Sequence, residues 1–266
     1  MKNNLNELYK KLILEGYNIA NRECFGGYPD SENCSWYHKC WMLLRFLGMV
    51  SNPFWHETFY REAIKKYNLL NSKILIAGTA DFSMPLLCSQ IGCKKITVFD
   101  LCNTPLIICG RASEILNEKW ETKQQDICEY HGEKYNAVIN DAFLSRFEDK
   151  SKPLSGISNL LCEGGYYITT LKKKSNTPNK DVAVLKEEFV SKAIDRFNSY
   201  KGQFPELPIK SLAEIYINKM KSCPVVNDME IEDLFVKNNL QIISIDKTSV
   251  PGEYEPSEYY QIIAQK

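Results

Sequence analysis

Polar residues recur at the ends of short apolar runs in the middle of this chain. "KILIA" runs into Gly78, and "KITVF" ends at Asp100, 22 positions later. "KQQ" leads to Asp126, and "NAVI" ends at Asn140 and Asp141. In an open parallel sheet, ligands bind outside the carboxyl ends of the strands, near the topological switch point. Read that way, the four positions are one site. Gly78 lets the backbone approach a ligand closely, and Ala80 is nearly as small. Asp100 is placed to accept hydrogen bonds from a ribose diol. Asp126, followed by apolar Ile127, suits an adenine edge and face. Asn140 and Asp141 face the reacting end. Each aspartate taken singly also reads as a cap of the helix that follows; their common order joins them.

The remaining candidates for chemistry lie among aromatics near the N-terminus. The chain has three histidines, His38, His56 and His131. His38 and His56 stand beside Trp36, Tyr37, Trp41, Phe54 and Trp55, and each is a candidate general base as well as a candidate core histidine. Trp36, Trp55 and His56 are the expected substrate contacts, since aromatics line apolar pockets and attract cations. Cys34, His38 and Cys40 are three metal-ligand types within seven residues. They lack the paired spacing of a zinc site, and no metal is expected. The ten cysteines contain no CxxC pair, and read as reduced thiols filling small apolar gaps.

The elements that must position these residues follow from the pattern around them. With 266 residues, 44% hydrophobic, the chain suits one elaborated domain or two small ones. Lys plus Arg balance Asp plus Glu at 33 each, which argues against a general nucleic-acid binder. The N-terminus lacks the apolar run of a secretory signal, and "CWMLLRFLGMV" is too short and too interrupted by Arg45 to span a membrane. A cytoplasmic location is expected. Residues 1–70 read as a helical cap. Residues 71–171 alternate β-branched runs with helical patterns, which predicts a parallel sheet with crossover helices. Residues 172–227 read as a lysine-rich helical insertion completing the cap. Residues 228–266 return to the α/β pattern with a helix and two strands too close for a parallel crossover, hence antiparallel.

The order of "ILIAGTADFS", "VFD", "QQDI", "YNAVINDAF" and "LLCEGGYYITT" resembles the class I S-adenosylmethionine-dependent methyltransferases, over about residues 70–171 and 228–266. The resemblance implies an α/β fold, a doubly wound, mostly parallel sheet with a C-terminal antiparallel hairpin beneath the helical cap. It implies that Gly78, Thr79, Ala80, Phe82 and Ser83 hold the methionine end of S-adenosyl-L-methionine. Asp100 and Leu101 would take the ribose, and Asp126 and Ile127 the adenine. Asn140, Asp141, Ala142 and Phe143 would stand by the methyl group. From their place ahead of the turn, and not from the resemblance, Tyr28 and Tyr37 are candidates to hydrogen-bond the cofactor carboxylate. The turn departs from the family's: Ile76 replaces its acid, Ala80 its second glycine and Phe82 its third. Phe82 either stacks over the cofactor or takes the turn elsewhere. The implied reaction is methyl transfer to a small molecule, at oxygen or nitrogen. "NDAF" stands where base-methylating relatives carry "NPPY". Two readings compete: a member of the fold that binds the cofactor without methylating, and a nicotinamide-dependent reductase, whose fingerprint shares the Gly78–Asp100 spacing.

Overall fold

The computed structural model describes residues 2–24, 34–174, 182–200, 202–204, 207–225, 227–251 and 256–266. Three helices come first: α1 (Lys2–Glu23), α2 (Ser35–Phe46) and α3 (Glu57–Lys66). The alternating segment follows as β1 (Lys73–Ala77), α4 (Ser83–Ile91), β2 (Lys95–Asp100), α5 (Asn103–Leu116), β3 (Trp120–Gln124), β4 (Tyr135–Ile139), α6 (Ser151–Leu160) and β5 (Leu161–Lys172). The chain continues through α7 (Val182–Asn198), α8 (Ile209–Lys219), α9 (Asp228–Lys237), β6 (Gln241–Val250) and β7 (Ser257–Gln265).

The seven strands lie in the order β3-β2-β1-β4-β5-β7-β6. Pairing is parallel from β3 through β5 and antiparallel at β5–β7 and β7–β6. The last two strands thus pair antiparallel, as their short connection requires, and β7 enters the sheet beside β5. Ile74 to Ala77 of β1 are all buried, because a parallel strand is covered on both faces and reads as an unbroken apolar run. On one face Leu12, Leu44, Ile64, Leu87, Ile108 and Phe189 share a single core. The N-terminal helices and α7 therefore pack over the same face as α4 and α5. On the other face Leu154 and Ile157 of α6 meet Ile231 and Phe235 of α9.

Local chemistry sets the boundaries. Gly92, at φ +115°, ends α4 in the left-handed conformation that favours glycine. The Asn227 side chain accepts from the Glu230 N–H and starts α9. Strand β3 stops at Gln124 rather than near Asp126, because its partner β2 ends at Asp100, opposite Gln124. Asp126 lies in the turn beyond and accepts from the Cys128 N–H at 2.8 Å. No helix among the described residues is long and apolar enough to cross a membrane.

Candidate cofactor and active site

The turn after β1 is held from three sides. The Gly78 N–H donates to the Phe99 carbonyl at 2.9 Å. Gly78 sits at φ +68°, and a Cβ there would stand 2.2 Å from the Phe143 ring. The next N–H, of Thr79, donates to Asp100 Oδ2 at 3.0 Å, and the Cys102 N–H donates to Oδ1 at 2.8 Å. Asp100 thus ties the first two strand ends together, and burial lifts its carboxyl to about 6. Beneath the turn, Asp81 Oδ1 accepts from the Ser83 N–H at 2.8 Å and from Arg45 Nη1 at 2.8 Å. The pair is buried on both sides. Arg45 also donates from Nε to the Ser51 carbonyl at 2.8 Å and lies 4.9 Å over the Trp41 ring.

Phe82 points away from the cavity. It is fully buried, 4.8 Å from the Tyr9 ring, and forms no part of the cavity wall. The core behind the turn absorbs it. Ser83 is likewise buried, hydrogen-bonded to Asp81, Arg45 and Tyr9.

The end of β4 is equally tied. Asn140 Oδ1 accepts from the Tyr167 hydroxyl at 3.1 Å and from the Thr169 hydroxyl at 2.5 Å. The Tyr60 hydroxyl donates to the Asn140 carbonyl at 2.8 Å. The Thr170 hydroxyl donates to Asp141 Oδ1 at 2.7 Å and accepts from the Ala142 N–H at 3.0 Å. Ala142 adopts φ +53°, a strained conformation for alanine of the kind that collects at functional sites. Two polar atoms remain over: Asn140 Nδ2 and Asp141 Oδ2 are buried without a hydrogen-bond partner. His56 is buried behind Asp141, its Nε2 4.0 Å from Oδ1 and its Nδ1 3.3 Å from Gln261 Nε2. Burial depresses its basicity, and Asp141 opposes the shift.

A cavity of about 480 Å³ opens between these strand ends and the cap. Of the residues anticipated from sequence, Gly78, Thr79, Ala80, Asp100, Asn140, Asp141, Ala142 and Phe143 line it, with Trp36, Tyr37 and His38 opposite. Trp55, His56, Leu101, Asp126 and Ile127 stand outside the lining. His56 is buried against the wall residues Asp141 and Tyr259, and Leu101 is exposed on the surface. Tyr28 lies outside the described residues. The wall also contains Trp41, one of the N-terminal aromatics noted in the sequence, and Arg45, Arg146, Lys172, Tyr216 and Tyr259, which sequence reasoning passed over as site residues. Arg146 lies 5.7 Å over the Tyr37 ring. At the rim, Cys34 and His38 converge with Cys24 and Cys102. Cys40, the third ligand type weighed from sequence, instead directs its thiol to the carbonyls of Trp36 and Tyr37.

No family model matches the sequence, and no curated protein matches it. Solved structures match in fold. The magnesium protoporphyrin IX methyltransferase of Synechocystis PCC 6803, solved with bound SAH, aligns over 100% of both chains with TM-score 0.54 and 14% identity. A SAM-dependent methyltransferase of Methanosarcina mazei gives 0.55 at 15% identity, over 77% of this chain and 96% of its own. One from Mesorhizobium loti gives 0.52 at 10% identity, over 77% and 98%. The chain has the Rossmann-like fold of the class I S-adenosylmethionine-dependent methyltransferases. Identities this low carry the fold, and the activity rests on the site's own residues.

Proposed function

We propose that this chain is an S-adenosyl-L-methionine-dependent methyltransferase acting on a small molecule, at oxygen or nitrogen. One observation carries the reading. Asn140 Nδ2 and Asp141 Oδ2, a donor and an acceptor, are buried and unpartnered in residues that line the cavity. Leaving buried polar groups unpaired costs about 1–3 kcal/mol each, so the arrangement favours a ligand that supplies both partners. The cradle agrees. Gly78 keeps the backbone bare, Asp100 ends β2 beside it, and both face the same cavity.

Bound there, the cofactor supplies a methyl group on a sulfonium, open to in-line displacement. The chain's part is to position and to exclude water. Trp36, Tyr37 and Trp41 would form an apolar wall against the positive charge. Asp141 would orient a hydroxyl or amine acceptor through Oδ2, with His56 setting the carboxylate from behind. Arg146 and Lys172 add positive charge to the wall and suit an acceptor that carries an anionic group, while the charge of Arg45 is matched by Asp81. The neutral net charge supports a small molecule over a nucleic acid. All ten cysteines are free, in keeping with the reducing cytoplasm. The reductase reading retains only the Gly78–Asp100 spacing.

Methyl-labelled cofactor incubated with phenol, amine and carboxylate acceptors tests the proposal. Label should reach at least one acceptor class, and Asp141→Ala should slow that transfer by about 10²-fold, the size of a lost positioning contact. Tight cofactor binding with label transferred to none would favour the non-methylating reading.

A further inference from the structure

Three thiols and an imidazole meet beside Asp100; Cys34 and His38 reach the cavity rim, but the proposed methyl transfer gives none of the four a role. Cys24 follows directly on α1, Cys34 precedes α2, and His38 lies in the first turn of α2. Cys102 stands in the turn between β2 and α5. Their ligand atoms all lie within 4.8 Å of one another. Cys24 Sγ is 3.6 Å from Cys102 Sγ and 3.3 Å from His38 Nδ1. Cys102 Sγ is 3.6 Å from Cys34 Sγ and 3.6 Å from His38 Nδ1.

The three 3.6 Å separations match the edges of a coordination tetrahedron, and the 3.3 Å between Cys24 Sγ and His38 Nδ1 falls slightly short of one. Metal–sulfur bonds of about 2.3 Å and metal–nitrogen bonds of about 2.0–2.1 Å place ligand atoms about 3.5–3.8 Å apart. They are far too long for a disulfide, whose sulfurs stand about 2.05 Å apart. Thiols are weak hydrogen-bonding groups, so mutual hydrogen bonds give little reason to gather three of them around one imidazole. The ligand atoms are also too close together to surround a polynuclear iron–sulfur cluster.

We propose that Cys24, Cys34, His38 and Cys102 bind one zinc ion in a closed Cys₃His site. Three thiolates and an imidazole in tetrahedral array suit zinc by softness and geometry. Four protein ligands leave no open position, so the ion is structural. On binding, the three thiol protons pass to solvent and His38 coordinates through the Nδ1 lone pair. The surrounding groups fit an outer shell: the Thr104 hydroxyl lies 3.0 Å from Cys24 Sγ, and the Cys102 N–H donates to Asp100. The ion would join the end of α1 and the start of α2 to the end of β2. That fixes the cap against the cavity and makes His38 a ligand, not a base.

The test uses the full chain, expressed with zinc supplementation and purified without chelator. Mass-spectrometric metal analysis should give about one zinc per chain, as for a single tetrahedral site. Cys24→Ser with Cys102→Ser should abolish it, while Cys40→Ser, outside the cluster, should retain it. Should the double variant fail to fold, wild type still decides. Blocking its thiols with a mercurial should release one zinc equivalent to a chromogenic chelator, and cobalt substituted for zinc should show thiolate charge-transfer and tetrahedral d–d bands. Purification without zinc, with no uptake of zinc or cobalt on reconstitution, overturns the proposal. So does zinc content unchanged in the double variant. No readout involves cofactor or methyl transfer, so the methyltransferase reading and the zinc site stand or fall separately.

Discussion

Gly78 shows how much a single position can decide. Its φ of +68° and the Phe143 ring 2.2 Å from a would-be Cβ leave alanine no comfortable geometry. Gly78→Ala is expected to destabilise the fold by about 1–2 kcal/mol, the cost of an L-residue in the left-handed region. It should also weaken ligand binding, because the ring must move within the cavity wall. Denaturant unfolding and ligand titration check the two effects. At His56, burial depresses the folded-state pKa below the ordinary value of about 6.5. The unfolded chain then binds the proton first as pH falls. The neutral histidine's contribution is therefore present above about pH 6.5 and is lost as pH drops through the lower folded pKa. Unfolding free energies measured from pH 7 to pH 5 should fall more steeply in wild type than in His56→Gln; equal slopes would contradict this. Sequence made Gly78, Asp100 and Asn140–Asp141 legible because each follows an apolar run; Asp126, after the polar "KQQ", stands outside the cavity lining. Arg45 was visible only as a break in "CWMLLRFLGMV", since nothing local says that its partner is Asp81. Phe82, at a position glycine usually holds, reads as a site residue until Tyr9 is seen against it. Cys24 and Cys102 flank Cys34 and His38 in space while standing far apart in sequence, so no spacing rule could join all four.

Among the elements, the cap grips the sheet through polar contacts as well as apolar ones. Arg45 of α2 reaches Asp81 in the turn after β1, with both side chains buried. Arg45→Met should cost about 3–5 kcal/mol, since it strands a buried carboxylate, and Asp81→Asn added to it should recover part of the loss. Tyr60 of α3 donates to the Asn140 carbonyl beyond β4. Tyr60→Phe should cost about 1–3 kcal/mol, leaving that carbonyl buried and unpaired. Chemical denaturation measures both. The end of α4 was legible because Gly92 closes it in left-handed conformation, as Asn117 closes α5. The end of β3 was not, because it depends on where its neighbour β2 stops. Leu161 to Glu163 join β5 ahead of Gly164, whose φ of +74° lets the strand pass a glycine that reads as a turn.

For the whole molecule, alternation of apolar strands with amphipathic helices made the parallel sheet readable, and the short final connection made the antiparallel hairpin readable. The insertion of β7 between β5 and β6 was not, since sequence order does not give spatial order. The proposed function depends on one cavity at the carboxyl ends of β1, β2 and β4. Isothermal titration with S-adenosylmethionine, S-adenosylhomocysteine and NADPH, on wild type and on a folded Asp100→Ala, tests that most directly. Saturable binding of both adenosyl ligands, lost in the variant and absent for NADPH, is the predicted result. Binding of NADPH alone, or of none of the three, would contradict it.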